Sequence, residues 1–255
     1  MTNVLSKVAA AAAVLMGVAT SADAFVILSM RDLSTATTLT CNTSTLVGCG
    51  AGSGFTVTNA NNVSFAGAVG VFNTATTIGV NNVPGLPSGA TSDTTSLTVS
   101  RTDGVAVDKT LVVDFISFVF TAPTGILKNL DGSASMSAGS SAFAPTDLIN
   151  TTFSVDSDAG TAFVAGPTIS NTSCLMAALT SNNCDAARVL WSDPALGVAG
   201  FSTRTQQVFQ MAAGSRINST SSLTITVPEP MSVSLVGAAL LGLGLASRRR
   251  RTAKA

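Results

Sequence analysis

The side chains able to do chemistry in this chain are few and of a narrow kind. None of the 255 residues is histidine, which removes the Ser-His-Asp triad, the Cys-His dyad and every imidazole metal ligand. A Ser-Lys dyad would have to draw on Lys109 or Lys128, and neither lies three residues after a serine. Between Phe25 and Val227 the only carboxylates are aspartates. Two aspartates can serve a glycosidase when the fold spaces them correctly, but no local motif marks such a pair. The run Gly48-Cys49-Gly50-Ala51-Gly52-Ser53-Gly54 resembles a phosphate-cradling loop only in glycine content. Its GxGxxG register fails at the sixth position and no lysine follows, so a turn closing a cysteine ring explains it better. Asp156 and Asp158 could offer oxygens to calcium, yet the EF-hand register puts Gly160 at position five and Pro167 at position twelve. A tight turn between strands is the simpler reading. With one Trp, Trp191, and no Tyr, a sugar platform of stacked aromatic rings is poorly supplied. These residues point away from an enzyme, and no cofactor is expected.

The four cysteines form two local pairs, Cys41 with Cys49 and Cys174 with Cys184. Three connectivities are open. Local pairing is the simplest, because both segments are rich in Gly, Ser, Thr or Asn and can turn back on themselves. In an exported chain such pairs are read as disulfides, each constraining the unfolded chain by roughly 2.5 to 3 kcal/mol.

Export is signalled at the N-terminus. Lys7 precedes the apolar run Val8 to Val18, and Ala22-Asp23-Ala24 offers small residues at Ala22 and Ala24, where signal peptidase needs them. Residues 1–24 therefore read as a cleaved signal peptide, too short in its apolar part for the roughly 20 residues that span a bilayer. The body from Phe25 to Val227 carries seven Lys and Arg against eleven Asp, a formal charge of −4 that the neutral whole-chain balance conceals. Nucleic-acid binding, which calls for a basic patch, is not indicated.

Residues 25–226 must supply the frame. Thr, Ser, Val, Ala, Gly and Asn dominate, with turn signals at Asn81-Asn82, Val83-Pro84-Gly85 and Asp131-Gly132. Short alternating runs between turns predict an all-β domain. In Thr94 to Ser100, Leu97 and Val99 alternate with Ser96, Thr98 and Ser100; in Ser222 to Val227, Leu223, Ile225 and Val227 alternate with Ser222, Thr224 and Thr226. Both read as strands with one wet face. Thr110 to Thr121 is apolar on both faces apart from Asp114 and Ser117, the pattern of a central strand covered on both sides. Further strands are expected at Phe55–Thr58, Val63–Phe72, Ala134–Phe143, Thr152–Val155, Thr161–Val164, Val189–Trp191 and Gln207–Met211, with a single short helical turn at Cys174–Leu179. Asn81–Ser92 reads as a long polar loop or boundary. A single β-sandwich, of which the jelly roll is one form, buries so many short strands best.

Residues 227–255 form a third segment. Met231 to Ala246 is apolar but for Ser232 and Ser234; as a helix these 16 residues would span about 24 Å, and flanking residues would complete a crossing of the roughly 30 Å hydrocarbon core. Arg248, Arg249, Arg250 and Arg251 would stop transfer and hold the tail on the cytoplasmic side. An ordinary type I anchor needs no more than this. Val227-Pro228-Glu229-Pro230, directly before it, forbids strand continuation and keeps the backbone extended. It also holds the only glutamate of the chain.

Motif, apolar segment and basic tail together resemble the PEP-CTERM sorting domain of bacterial proteins. The resemblance covers a tenth of the chain. It implies recognition by the membrane enzyme exosortase, cleavage near Val227 to Pro230, and delivery from a periplasm-facing intermediate to the cell surface or extracellular matrix of bacteria that make exopolysaccharide and biofilms. It attaches no activity to residues 25–226. Those residues are read as a non-enzymatic surface or matrix module, with a calcium- or polysaccharide-binding module and a plain membrane-anchored protein as alternatives.

Overall fold

A computed structural model describes residues 25–86, 89–120, 127–138, 144–156, 163, 168–170, 174–175, 181–183, 189–192 and 200–226. Two antiparallel sheets face each other across one hydrophobic core, a β-sandwich. The first sheet contains β1 (Phe25–Asp32), β2 (Thr37–Asn42), β7 (Lys109–Phe120), β9 (Leu148–Asp156), β10 (Thr168–Ser170), β11 (Cys174–Leu175) and β14 (Phe201–Met211). Its path runs β10-β9-β14-β7-β1-β2, with β11 also on β9. The second sheet contains β3 (Phe55–Asn59), β4 (Asn62–Val69), β5 (Phe72–Leu86), β6 (Gly89–Arg101), β8 (Leu127–Ala138), β12 (Ser181–Asn183), β13 (Val189–Ser192) and β15 (Arg216–Thr226), in the order β12-β8-β15-β6-β5-β4-β3 with β13 also on β8.

Alternation builds the core. Val26, Leu28 and Met30 of β1, Leu97 and Val99 of β6, Leu111, Val113 and Phe115 of β7, and Ile217, Leu223 and Ile225 of β15 all point inward and are buried, as the two-residue period of a strand requires. β7 is interior to its sheet, as its composition predicts, but it is not covered on both sides. Val112, Asp114 and Ile116 face outward and are half-exposed. Toward its end a bulge changes the phase: Phe120 pairs with Phe201 and Ser117 with Thr203, so β7 carries one extra residue there. Phe118 is closed off by the Phe25 ring, stacked at 4.6 Å, and Phe120 stacks on Phe201 at 5.2 Å.

The other departures from expectation have local causes. The sequence pattern gave no strand at Phe25–Asp32 or Thr37–Asn42, which form the β1–β2 hairpin. Val63–Phe72 is broken by a two-residue turn with Gly70 at φ 58°. Asn81–Ser92 is no loop, because β5 and β6 pair through Asn81↔Thr91 and Leu86↔Gly89; Pro84, lacking an N–H, falls where the register shifts. Asp131-Gly132 is not a turn but the middle of β8, where a Cβ on Gly132 would overlap the Phe153 ring of the facing sheet. At Cys174–Leu175 the expected helical turn is instead a strand on β9, with Cys174 opposite Ile149 and buried; residues 176–179 of that expectation lie outside the described residues. Residues 139–143 of the strand expected at Ala134–Phe143, and residues 161, 162 and 164 of that expected at Thr161–Val164, lie outside the described residues.

At one end of the sandwich, buried charged side chains tie down the connections that have no ladder to satisfy their backbone groups. Asp32 accepts from Ser34 N–H (2.7 Å), Ser34 Oγ (2.6 Å), Thr35 Oγ1 (2.9 Å) and Val71 N–H (3.0 Å). Arg101, buried, pairs with Asp103 and donates to the carbonyls of Met211 (2.8 Å) and Val105. Asp147 accepts from Ala144 N–H and Ala212 N–H, both at 2.8 Å.

The first and last described residues, Phe25 and Thr226, lie at the other end of the sandwich. Thr43, just past β2, bonds Val26 through its backbone, and its hydroxyl reaches Ala60 beside the start of β4. From there the register runs Asn62↔Gly79, Gly79↔Asp93 and Asp93↔Ser222. The start of β1 and the last turn of residues in β15 therefore share one end, each on an interior strand of its sheet.

Candidate functional site

The outer face of the first sheet carries three cross-strand rows. One reads Thr40, Ser29, Asp114, Gln206, Thr152; the next Thr38, Arg31, Val112, Val208, Asn150; the third Asn42, Ile27, Ile116, Arg204, Ser154. Period-two alternation on five neighbouring strands, β2, β1, β7, β14 and β9, thus gathers residues from four distant parts of the chain. Between Ser29, Arg31, Thr38, Val112, Asp114, Arg204 and Gln206 lies an open cleft of about 360 Å³.

Asp114 is its centre. Its Oδ1 accepts from Arg204 Nε (2.8 Å) and Gln206 Nε2 (2.9 Å) and lies 2.6 Å from Arg204 Nη2. Among the described residues Oδ2 accepts no hydrogen bond, so one carboxylate oxygen keeps its lone pairs for a donor outside the chain. Ser29 and Thr40 hydroxyls share a hydrogen bond at 3.0 Å beside it. Arg31 is exposed and has no carboxylate partner among the described residues. The cleft therefore offers a free guanidinium, a half-engaged carboxylate, an amide and the hydroxyls of Ser29 and Thr38 over an apolar floor of Val112.

The sequence pattern did not mark this group. Asp114 appears there as an interruption of an apolar strand, and that interruption was the usable signal: a charge in the middle of a central strand needs a partner. Arg31, Arg204 and Gln206 carry no such mark, because only strand register brings them together.

The residues singled out by type fall elsewhere. Cys41 and Cys49 form a disulfide that closes the loop after β2, as expected from their spacing, and a disulfide fits a compartment outside the reducing cytoplasm. Gly48 in that loop has φ 78°, and a Cβ there would overlap the Thr40 carbonyl. Cys174 is also disulfide-bonded; the remaining cysteine, Cys184, lies outside the described residues. Asp156 ends β9, buried and opposite Ser202, while Asp158 lies outside the described residues. So do Ala22, Ala24, Val227, Pro228, Glu229, Pro230 and Arg248 to Arg251. Among the described residues no helix is long and apolar enough to cross a membrane, and no group of three or more His, Cys, Asp or Glu could hold a metal.

No protein-family model matches the chain, and no curated protein matches it. Solved structures with a similar arrangement include TmCBM61 in complex with β-1,4-galactotriose, at 7% identity over 63% of this chain and 92% of that chain, with a TM-score of 0.29. The infectious bursal disease virus Gx strain structure is similar at 9% identity, over 81% of this chain and 51% of that one, with a TM-score of 0.30. Both likenesses are too slight to bear on ligand or activity.

Proposed function

We propose that this chain is an exported, non-enzymatic surface or matrix protein whose β-sandwich is delivered through its C-terminal PEP-type signal. The supporting observation is topological. β1 starts at Phe25 and β15 ends at Thr226, and both ends leave the same end of the sandwich. Thr226 is still paired with Gly89 and Asn129 on either side, so Val227 follows immediately on the last described residue of the ladder. A body tethered through that point would present its opposite end, the one pinned by Asp32, Arg101 and Asp147, away from the membrane. Exosortase would meet Pro228-Glu229-Pro230 at the foot of a rigid domain.

Replacing Pro228, Glu229 and Pro230 by alanine and fractionating the cells tests this. The parent is expected at the surface or in the matrix as a shortened species, and the variant in the membrane at a larger mass. Identical size and location of the two would remove the sorting reading. A second reading, a polysaccharide contact made by the delivered body, is favoured by the polar cleft around Asp114, which needs no catalytic group to serve as a binding site.

A further inference from the structure

We infer that the cleft on the outer face of the first sheet is a binding site for an acidic saccharide, with Arg31 taking the sugar carboxylate and Asp114 Oδ2 taking neighbouring hydroxyls. This rests on the polysaccharide reading of the cleft and names its ligand class.

Arg204 is already committed to Asp114 Oδ1, whereas the guanidinium of Arg31 is exposed and lacks a carboxylate among the described residues. A guanidinium presents paired donors that match a carboxylate in two parallel hydrogen bonds. Asp114 Oδ2 is the complementary feature, an acceptor for hydroxyl donors that cannot bind a second carboxylate without repulsion. Arg31 is two residues along β1 from Ser29, which lies directly opposite Asp114. That diagonal placement sets the two residues about 7 to 8 Å apart, with their Cβ atoms somewhat closer, a span one sugar ring bridges with its acid group at one side and its ring hydroxyls at the other. Ser29 and Thr38 supply further hydroxyls at the rim, and Gln206 fixes the Asp114 rotamer through a 2.9 Å bond. Charge agrees: Arg31 and Arg204 against Asp114 leave the cleft positive in a body of formal charge −4. An acidic peptide would satisfy Arg31 alone and leave Asp114 Oδ2 facing further carboxylates.

The full chain in detergent, or the mature form released from producing cells, is titrated by calorimetry with oligosaccharides of galacturonate, mannuronate and glucuronate. Their neutral methyl esters and polyglutamate serve as comparisons. At least one acid oligosaccharide is expected to bind, its ester about tenfold or more weaker, the loss of one charge-assisted pair, and polyglutamate to compete poorly. Arg31→Gln should erase the preference for acid over ester. Asp114→Asn should weaken both, and Arg216→Gln, on the other sheet, should change neither. Arg31 is exposed, so a near-UV circular dichroism spectrum identical to the parent's is expected for its variant. Equal binding of acid and ester, unchanged by Arg31→Gln, would overturn the acidic assignment and leave the polysaccharide reading standing. Binding of no saccharide would overturn both, and equal competition by polyglutamate would overturn the sugar part of the assignment.

Discussion

Asp32 shows how much one side chain does in this fold. Burial alone would raise its pKa, but hydrogen bonds from the Ser34 hydroxyl, the Val71 and Ser34 backbone N–H groups and the Thr35 hydroxyl outweigh it and hold the carboxyl below its ordinary value of 3.8. The folded state thus binds this proton less readily than the unfolded chain does. The stabilisation is complete above the ordinary carboxylate range and is lost as pH falls through the lower folded value. Urea titrations at decreasing pH should show stability falling below about pH 4, with a shallower fall in Asp32→Asn. Asp32→Ala strands the Val71 N–H and the Ser34 N–H and should cost about 2 to 3 kcal/mol at neutral pH. Gly70 bears on the same carboxylate, since a Cβ there would overlap Asp32 Oδ2 and the backbone sits at positive φ. Gly70→Ala should therefore destabilise by about 2 kcal/mol or more, measurable in the same titration.

The elements follow from pattern where pattern is local. β6 and β15 are legible as strands because Leu97-Val99 and Leu223-Ile225 alternate with polar neighbours, and β7 because its run of β-branched and aromatic residues is apolar on both faces at strand length. The reading stops where a tertiary neighbour decides the outcome. Gly132 looks like half of a turn signal until Phe153 arrives from the other sheet, and Asn81-Asn82 looks like a loop until β6 pairs with it. The candidate cleft was illegible for the same reason. Its members, Arg31, Asp114, Arg204 and Gln206, stand up to 175 residues apart in the chain and meet only through the registers of β1, β7 and β14. The Cys41–Cys49 ring is the opposite case, a tertiary link readable from spacing. It fixes a loop whose Leu46 has φ 58° and whose Leu46 and Val47 are exposed. Cys41→Ser with Cys49→Ser should cost about 2.5 kcal/mol by the loop-entropy estimate and make the 43–54 segment the first site of limited proteolysis.

At the scale of the whole molecule, the central proposal is that a rigid sandwich occupies 25–226 and hands its C-terminal end to a sorting enzyme. β1 and β15 begin and end beside the two segments that sequence alone sets apart, and they do so at one end of the sandwich. The last described pairs, Thr226↔Gly89 and Thr226↔Asn129, precede the motif, so a cut within Val227 to Pro230 falls beyond every ladder pair described for the sandwich. Mass spectrometry of the protein recovered from the cell surface and matrix of producing cells tests the claim most directly. The recovered chain is expected to start at Phe25, to end or be joined to another group within Val227 to Pro230, and to hold Cys41 linked to Cys49. Recovery solely of a membrane-bound species that retains residues 231–255, in parent and in the Pro228, Glu229, Pro230 alanine variant alike, would contradict it.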